Sequence, residues 1–152
     1  MANTQGMCNS FKVELMGAYH NFIATNVART INTIDVFKAA LYLTTATVNN
    51  STTVYSATNE VSGTNYTAGG ATVTNATAPL LFTNTATWTP SANLVWTTVT
   101  LATAFDTVLI YNSSQTNRAV SVHTFGAQTV TAGTFTLTMP TPGAGTSLLN
   151  FA

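Results

Sequence analysis

Two histidines, one cysteine and four carboxylates carry the chemistry for catalysis or metal binding in this chain: His20, His123, Cys8, Glu14, Asp35, Glu60 and Asp106. A general acid–base pair needs two carboxyls held roughly 5–10 Å apart. Nothing in the spacing 14, 35, 60, 106 brings two of them to one face of an element, so they read as isolated surface carboxylates. A serine relay needs its nucleophile on a sharp strand-to-helix turn, and no Gly-x-Ser-x-Gly occurs. His123 falls on the side of Ala119, Ser121 and Phe125 and reads as a half-buried structural imidazole. Zinc needs paired ligand spacing, which His20, His123 and Cys8 lack, and a single cysteine excludes an internal disulfide. Pro142 to Ser147 looks like a phosphate-cradling loop without its lysine or its helix, and reads as a turn. Asn50-Ser51-Thr52, Asn65-Tyr66-Thr67 and Asn75-Ala76-Thr77 fit the glycosylation pattern at the frequency this composition produces by chance. Trp88, Trp96 and the five tyrosines have faces that stack on sugar rings, although Trp96 lies in an apolar strand and reads as core. No catalytic, cofactor-binding or metal-ligating set is predicted. The residue chemistry points to a structural or interaction protein, not an enzyme.

The background to these groups is almost free of charge. The 152 residues hold four Lys+Arg (Lys12, Arg29, Lys38, Arg118) and four Asp+Glu, and charged residues make up 5%, against about 25% in an average domain. Threonine (33) and asparagine (15) take their place. A chain with net charge +0 offers no footprint for a phosphate backbone, which argues against nucleic-acid binding. No apolar run approaches the ~18 residues of a spanning helix. Met1 to Gly6 lacks the basic and apolar regions of a signal peptide, so neither a membrane partner nor secretion is expected. β-branched threonine interleaved with Val, Leu, Phe and Tyr is the composition of pleated sheet. Copies that lack a net charge of about 2–8 are not kept apart by repulsion, and unprotected sheet edges pair. Self-association is therefore expected, as a homo-oligomer with a trimer favoured over a dimer.

The elements that hold these residues are mostly strands. Residues 1–9 read as a polar arm, loose in the isolated protein because nothing offsets its ordering entropy. Residues 10–152 read as a single domain. Ser10 to Gly17 reads as a short helix capped by Ser10, with Phe11 and Leu15 one turn apart and Gly17 as the stop. The other reading of that stretch is a strand alternating Phe11, Val13 and Leu15. Residues 18–34 show no periodicity. Strands are predicted over 36–43, 52–57, 71–75 and 80–83, then over 94–101, where Leu94, Trp96 and Thr98 oppose Val95, Thr97 and Val99. Residues 105–111 are apolar on both faces, as in a doubly covered strand. The polar connection 113–117 joins them to 118–125 as a hairpin, and 134–139 alternates three Thr with Phe135, Leu137 and Met139 before Pro140. Such spacing predicts an all-β fold, an antiparallel β-sandwich of jelly-roll-like type. Its core is expected to include Phe37, Leu41, Trp96, Leu109, Ile110, Val120, Val122, Phe135 and Leu137.

Several phrases, in their order, resemble a family of small tailed-bacteriophage virion structural proteins. They are Phe37-Lys38-Ala39-Ala40-Leu41-Tyr42-Leu43, Thr58-Asn59-Glu60-Val61-Ser62-Gly63 and Tyr66-Thr67-Ala68-Gly69-Gly70, followed by Leu109-Ile110-Tyr111-Asn112-Ser113, Asn117-Arg118-Ala119-Val120 and Ala132 to Pro140. The segment from Ser10 to Phe22 is similar too, whereas the connection 23–34 is longer than the family's. The resemblance implies a structural component of the particle and carries over no catalytic residue. It implies a capsid decoration (cement) protein on the outside of the icosahedral head, with the major capsid protein or another virion protein as partner. A fibre, neck or tail component is the alternative, and a carbohydrate-binding receptor module a third.

Overall fold

Threonine-rich, β-branched sequence builds strand wherever the chain is regular, with one exception near its start. In the computed structural model, which describes residues 3–16, 19–22, 34–74 and 78–151, that exception is helix α1, Asn9–Met16. The strands are β1 Gly6–Met7, β2 Phe37–Leu43, β3 Ala71–Thr72, β4 Leu80–Phe82, β5 Thr85–Trp88, β6 Leu94–Asn112, β7 Arg118–Leu137 and β8 Leu149–Phe151. They form a five-stranded sheet of order β1-β7-β6-β2-β3 and a three-stranded sheet of order β4-β5-β8, antiparallel throughout. The fold is the all-β, sandwich-like one expected.

The large sheet is covered on both faces near the β6–β7 turn. On one face Phe37 stacks on Phe22 at 4.7 Å and lies 5.6 Å from Trp88 of β5, while Phe11 of α1 lies 6.1 Å from Phe151 of β8. On the other face the connection 44–70 lies against the sheet, with Tyr55 stacked on Tyr111 at 4.7 Å. Val108, Leu109, Ile110 and Tyr111 are consequently all buried, as their lack of alternation predicts. Ala40 and Tyr42 of β2 are buried beside Ala39 and Leu41 for the same reason.

Away from that turn the hairpin changes character. The strands predicted over 94–101 and 105–111 are one strand, β6, and those over 118–125 and 134–139 are one strand, β7. Their register shifts between Trp96 and Val99, Val99 and Leu101, Leu101 and Phe105, and Phe105 and Thr107. The extra residues alternate between strands: 97–98 on β6, 131–132 on β7, 102–104 on β6, 125–127 on β7. Thr98 (φ 55) and Ala132 (φ 46) turn left-handed within these bulges. This corrects the predicted alternation, since the bulge at 97–98 moves Thr98 outward and Val99 inward.

Other expectations shift by smaller amounts. The helix begins at Asn9, so Ser10 lies inside it with its buried hydroxyl unpartnered among the described residues, and does not cap it. Gly17 and most of 18–34 lie outside the described residues. Residues 52–57 form no strand; they touch the sheet through the Val54–Arg118 bridge and the bonds Tyr55 N–H to Asn117 O and Ala119 N–H to Thr53 O. The arm is not loose in this chain. Gly6 and Met7 pair with Val122 and Ser121, Thr4 N–H donates to Val48 O, and the Asn3 amide spans Leu43 O, Asp106 and Val48 N–H. The outer edge of β7 and the turn 43–50 supply the partners that its own sequence lacks.

Seven of the nine expected core residues are buried; Phe135 and Leu137 are half-buried, because they lie where only one face of the hairpin is packed. Truncation should register the difference. Leu109→Ala is expected to cost about 2–5 kcal/mol, and Leu137→Ala roughly half of that, in urea unfolding monitored by tryptophan fluorescence.

Candidate functional site

Three of the four carboxylates expected at the surface are buried instead: Glu14, Asp35 and Glu60. A buried carboxylate is costly unless donors surround it. Glu60 sits beside β2, bridged to Tyr42. Its Oε2 accepts from the Tyr55 hydroxyl at 2.6 Å, and its Oε1 accepts from the Tyr66 hydroxyl and Gly69 N–H, both at 2.8 Å. Tyr111 donates to Gly69 O at 2.8 Å, Tyr42 donates to Ser56 O at 2.6 Å, and Leu41 N–H donates to the Tyr66 hydroxyl. Burial pushes the Tyr111 hydroxyl up to about 12 and raises those of Tyr42, Tyr55 and Tyr66 further, with the Glu60 charge adding to it. All four stay protonated donors. Two glycines make the approach possible: a Cβ on Gly70 (φ +70) would fall 1.8 Å from Ala39 O, and one on Gly63 would fall 1.9 Å from Thr100 O. This centre fastens the connection 44–70 to the sheet.

Glu14 and Asp35 meet around His20. Glu14 of α1 pairs with Arg118, whose guanidinium lies 4.5 Å over the Tyr19 ring. His20 Nε2 is 2.7 Å from Glu14 Oε2, and Asn112 Nδ2 reaches both His20 Nδ1 (3.0 Å) and Asp35 Oδ2 (2.8 Å). The Asn112 oxygen accepts from Ser114 N–H, which fixes its amide with nitrogen toward His20. His20 is then a neutral imidazole that donates from Nε2 and accepts at Nδ1. Burial lowers its basicity against the opposing pull of Glu14. With both nitrogens engaged inside the protein, this imidazole orients the chain around it. Cys8 is buried, and burial pushes its thiol up to about 12, so it is held as a protonated thiol. Among the described residues no three His, Cys, Asp or Glu are placed to hold a metal.

His123 lies where β7 leaves the doubly packed region. Its Nε2 is 2.9 Å from Ser121 Oγ, and burial lowers its pKa to about 4. It lines a half-open cleft of about 470 Å³ with Gln5, Phe125, Leu137, Met139 and Asn150. Charged side chains are missing from this lining. The predicted turn 142–147 forms one wall, closed by Thr146 and Ser147 N–H donating to Gly143 O. Trp96 is buried against Tyr66 and Phe135, and Trp88 against Phe22 and Phe37, so both tryptophans serve the core.

Beyond Val122, where β1 stops, the outer edge of β7 runs on over 124–137 with no further strand beside it among the described residues. The sequence there, Thr124-Phe125-Gly126-Ala127-Gln128-Thr129-Val130-Thr131-Ala132-Gly133-Thr134-Phe135-Thr136-Leu137, contains no charge and no proline. Phe125, Val130, Phe135 and Leu137 are half-buried against the core, and the residues between them are mostly exposed. Sequence reasoning found the alternation at 134–139 but not the length of this edge, which the fusion of two predicted strands creates. It also missed the Glu60 centre, although four of the five tyrosines converge there. The available signal was a lone carboxylate between Tyr55 and Tyr66 followed by Gly69-Gly70.

Two expectations follow from these contacts. Glu60→Ala leaves two hydroxyls and an amide without their acceptor and should cost about 3–5 kcal/mol, while Tyr55→Phe, which removes one bond to a charged group, should cost about 1.5–3. Hydrogen exchange should show the loss first in residues 55–70. The histidines set an acid limit. A histidine held neutral in the fold binds its proton more weakly than in the unfolded chain, so stability is full above about pH 6.5 and falls as the pH drops toward 4. His123→Gln should flatten that fall by roughly 2–3 kcal/mol in melting curves taken from pH 7 to pH 4.

Compared with known protein families, curated proteins and solved structures, the chain has no match.

Proposed function

We propose that this chain is a structural component of a tailed-bacteriophage particle, foremost a capsid decoration protein bound to the outside of the icosahedral head as a homo-oligomer. The observation that carries the assembly part is the uncharged outer edge of β7 over 124–137. Edges of this kind are normally blunted by Lys, Pro or inward charges because they pair with other chains. Here only bulges blunt it. The resemblance supports the particle: Phe37 to Leu43, Thr58 to Gly63, Tyr66 to Gly70 and Leu109 to Ser113 all contribute to the Glu60 centre or to the strands beneath it. A persistent shell component needs such a fixed scaffold and no turnover. A fibre, neck or tail position uses the same scaffold and differs only in the docking partner.

A carbohydrate-binding reading is favoured by one feature, the cleft beside His123, whose size falls in the range of small-ligand sites and whose lining is neutral, with an aromatic ring and side-chain amides. It ranks below assembly because both tryptophans are buried.

Mapping the chain in intact particles by cryo-electron microscopy tests the proposal. Density fitting this sandwich on the outer head surface is the expected result, and its confinement to neck, fibre or tail favours the alternative. Absence from purified particles overturns both. Attachment should change little between 50 and about 500 mM salt, because screening acts on charges and the chain holds only eight.

A further inference from the structure

We propose that the half-open cleft beside His123 is a binding site for a neutral sugar residue. The inference deepens the carbohydrate reading and rests on it for the ligand class, while it needs nothing from the virion reading. Four separate stretches of chain converge on the cleft. Val108 and Ile110 of β6 and His123 of β7 line it from the large sheet, and Asn150 of β8 lines it from the small one. The arm contributes Gln5, and the turn 142–147 forms a wall.

Size and lining select the ligand. The volume of about 470 Å³ lies within the range of small-molecule sites. No Lys, Arg, Asp or Glu lines it, and burial keeps His123 neutral, its pKa lowered to about 4. A phosphate, carboxylate or ammonium brought here would lose water without gaining a counter-charge. A purely apolar ligand fits no better, because the lining retains unused hydrogen-bonding groups that it would strip of water. Thr124 N–H and Oγ1 both donate to Gln5 Oε1, which leaves the Gln5 amide nitrogen without an acceptor among the described residues. His123 Nε2 is engaged by Ser121 Oγ, whereas its Nδ1 has no partner among the described residues. The exposed Thr138 hydroxyl has none either. Asn150, by contrast, uses both ends of its amide on Gly145 N–H and Ser147 O and shapes the wall.

A sugar answers this mixture, since one face of its ring presents C–H groups and its edge presents hydroxyls that both donate and accept. Val108, Ile110 and Leu137 offer apolar surface, and Phe125 offers an aromatic ring. That ring is braced edge-on by Phe105 at 6.0 Å and by Phe135 at 5.7 Å, so contact with a ligand orders little that is not already ordered. A ligand of about a dozen non-hydrogen atoms in so open a site should bind with a dissociation constant on the order of 1 mM.

Amide chemical-shift titration of the full chain tests this, with methyl glycosides of glucose, galactose, mannose and N-acetylglucosamine added to about 50 mM. At least one glycoside should shift residues 123–125, 137–139 and 145–150 together, and glucuronic acid should bind at least tenfold more weakly. Thr138 is exposed and lines the cleft, so Thr138→Trp should obstruct it and weaken binding at least tenfold, with circular dichroism and melting unchanged. Gln5→Ala, which removes an exposed amide, should weaken binding severalfold. No shift with any glycoside overturns the proposal, as does tighter binding of cyclohexanol or glucuronic acid than of every glycoside. Glycoside binding that Thr138→Trp leaves intact overturns the site and spares the broader carbohydrate reading. None of these readouts depends on where the chain sits in a particle, so this inference and the virion reading fail separately.

Discussion

A carboxylate buried at the side of a sheet must be given donors, and in this protein that demand organises one whole face. Glu60 takes two tyrosine hydroxyls and a backbone amide. Those donors come from residues 55, 66 and 69, which are held there only if the connection 44–70 folds back on β2 and β6. Removing the acceptor leaves buried donors with neither water nor partner, which costs more than the bonds themselves contribute. The connection is thereby committed to one path, and Gly63 and Gly70 let it pass against Thr100 and Ala39 with no room for a side chain. The doubly covered half of the hairpin follows: Leu109 and Tyr111 are buried because this connection lies over them.

The opposite face is held by a second polar centre of the same logic. Arg118, Glu14, His20, Asn112 and Asp35 tie the start of β7, helix α1, the end of β6 and the segment before β2 into one network. Packed around it are the rings of Phe11, Phe22, Phe37 and Trp88. Three of the four carboxylates, Glu14, Asp35 and Glu60, are buried in these two centres, while Lys38, Asp106 and Arg118 are partly exposed.

What the sequence made legible follows from periods it displays. The doubly apolar run 105–111, the polar connection 113–117 and the alternation at 134–139 depend on neighbouring residues alone, and each appears where expected. The bulges do not depend on neighbouring residues. Whether Thr98 or Val99 points inward is decided by pairing with Gly133 and Phe135, some 35 residues away, through a backbone conformation that threonine rarely adopts. The polar centres were illegible for a related reason: Glu14 and Arg118, or Asp35 and Asn112, have no spacing to read until the strands between them are placed. The arm shows the same effect from the other side. Its sequence contains no reason to be ordered, and the reason lies in the edge of β7 and the carbonyl of Val48.

The hairpin β6–β7 therefore has two ends with different physics. Near the turn at 113–117, both faces are packed, the outer edge is taken by β1, and both polar centres reach it through Tyr111, Asn112 and Arg118. Toward Leu94 and Leu137 one face is packed, the register shifts four times and the outer edge carries no strand among the described residues. Among the phrases that resemble virion proteins, Leu109 to Ser113 and Asn117 to Val120 fall at the first end, and Ala132 to Pro140 at the second. Residues 121–131, which include the exposed threonines of the free edge, belong to none of them. The first end is thus fixed by buried polar groups, and the second by ring packing, in which Phe125 and Phe135 both lie against Phe105 and Phe135 also meets Trp96.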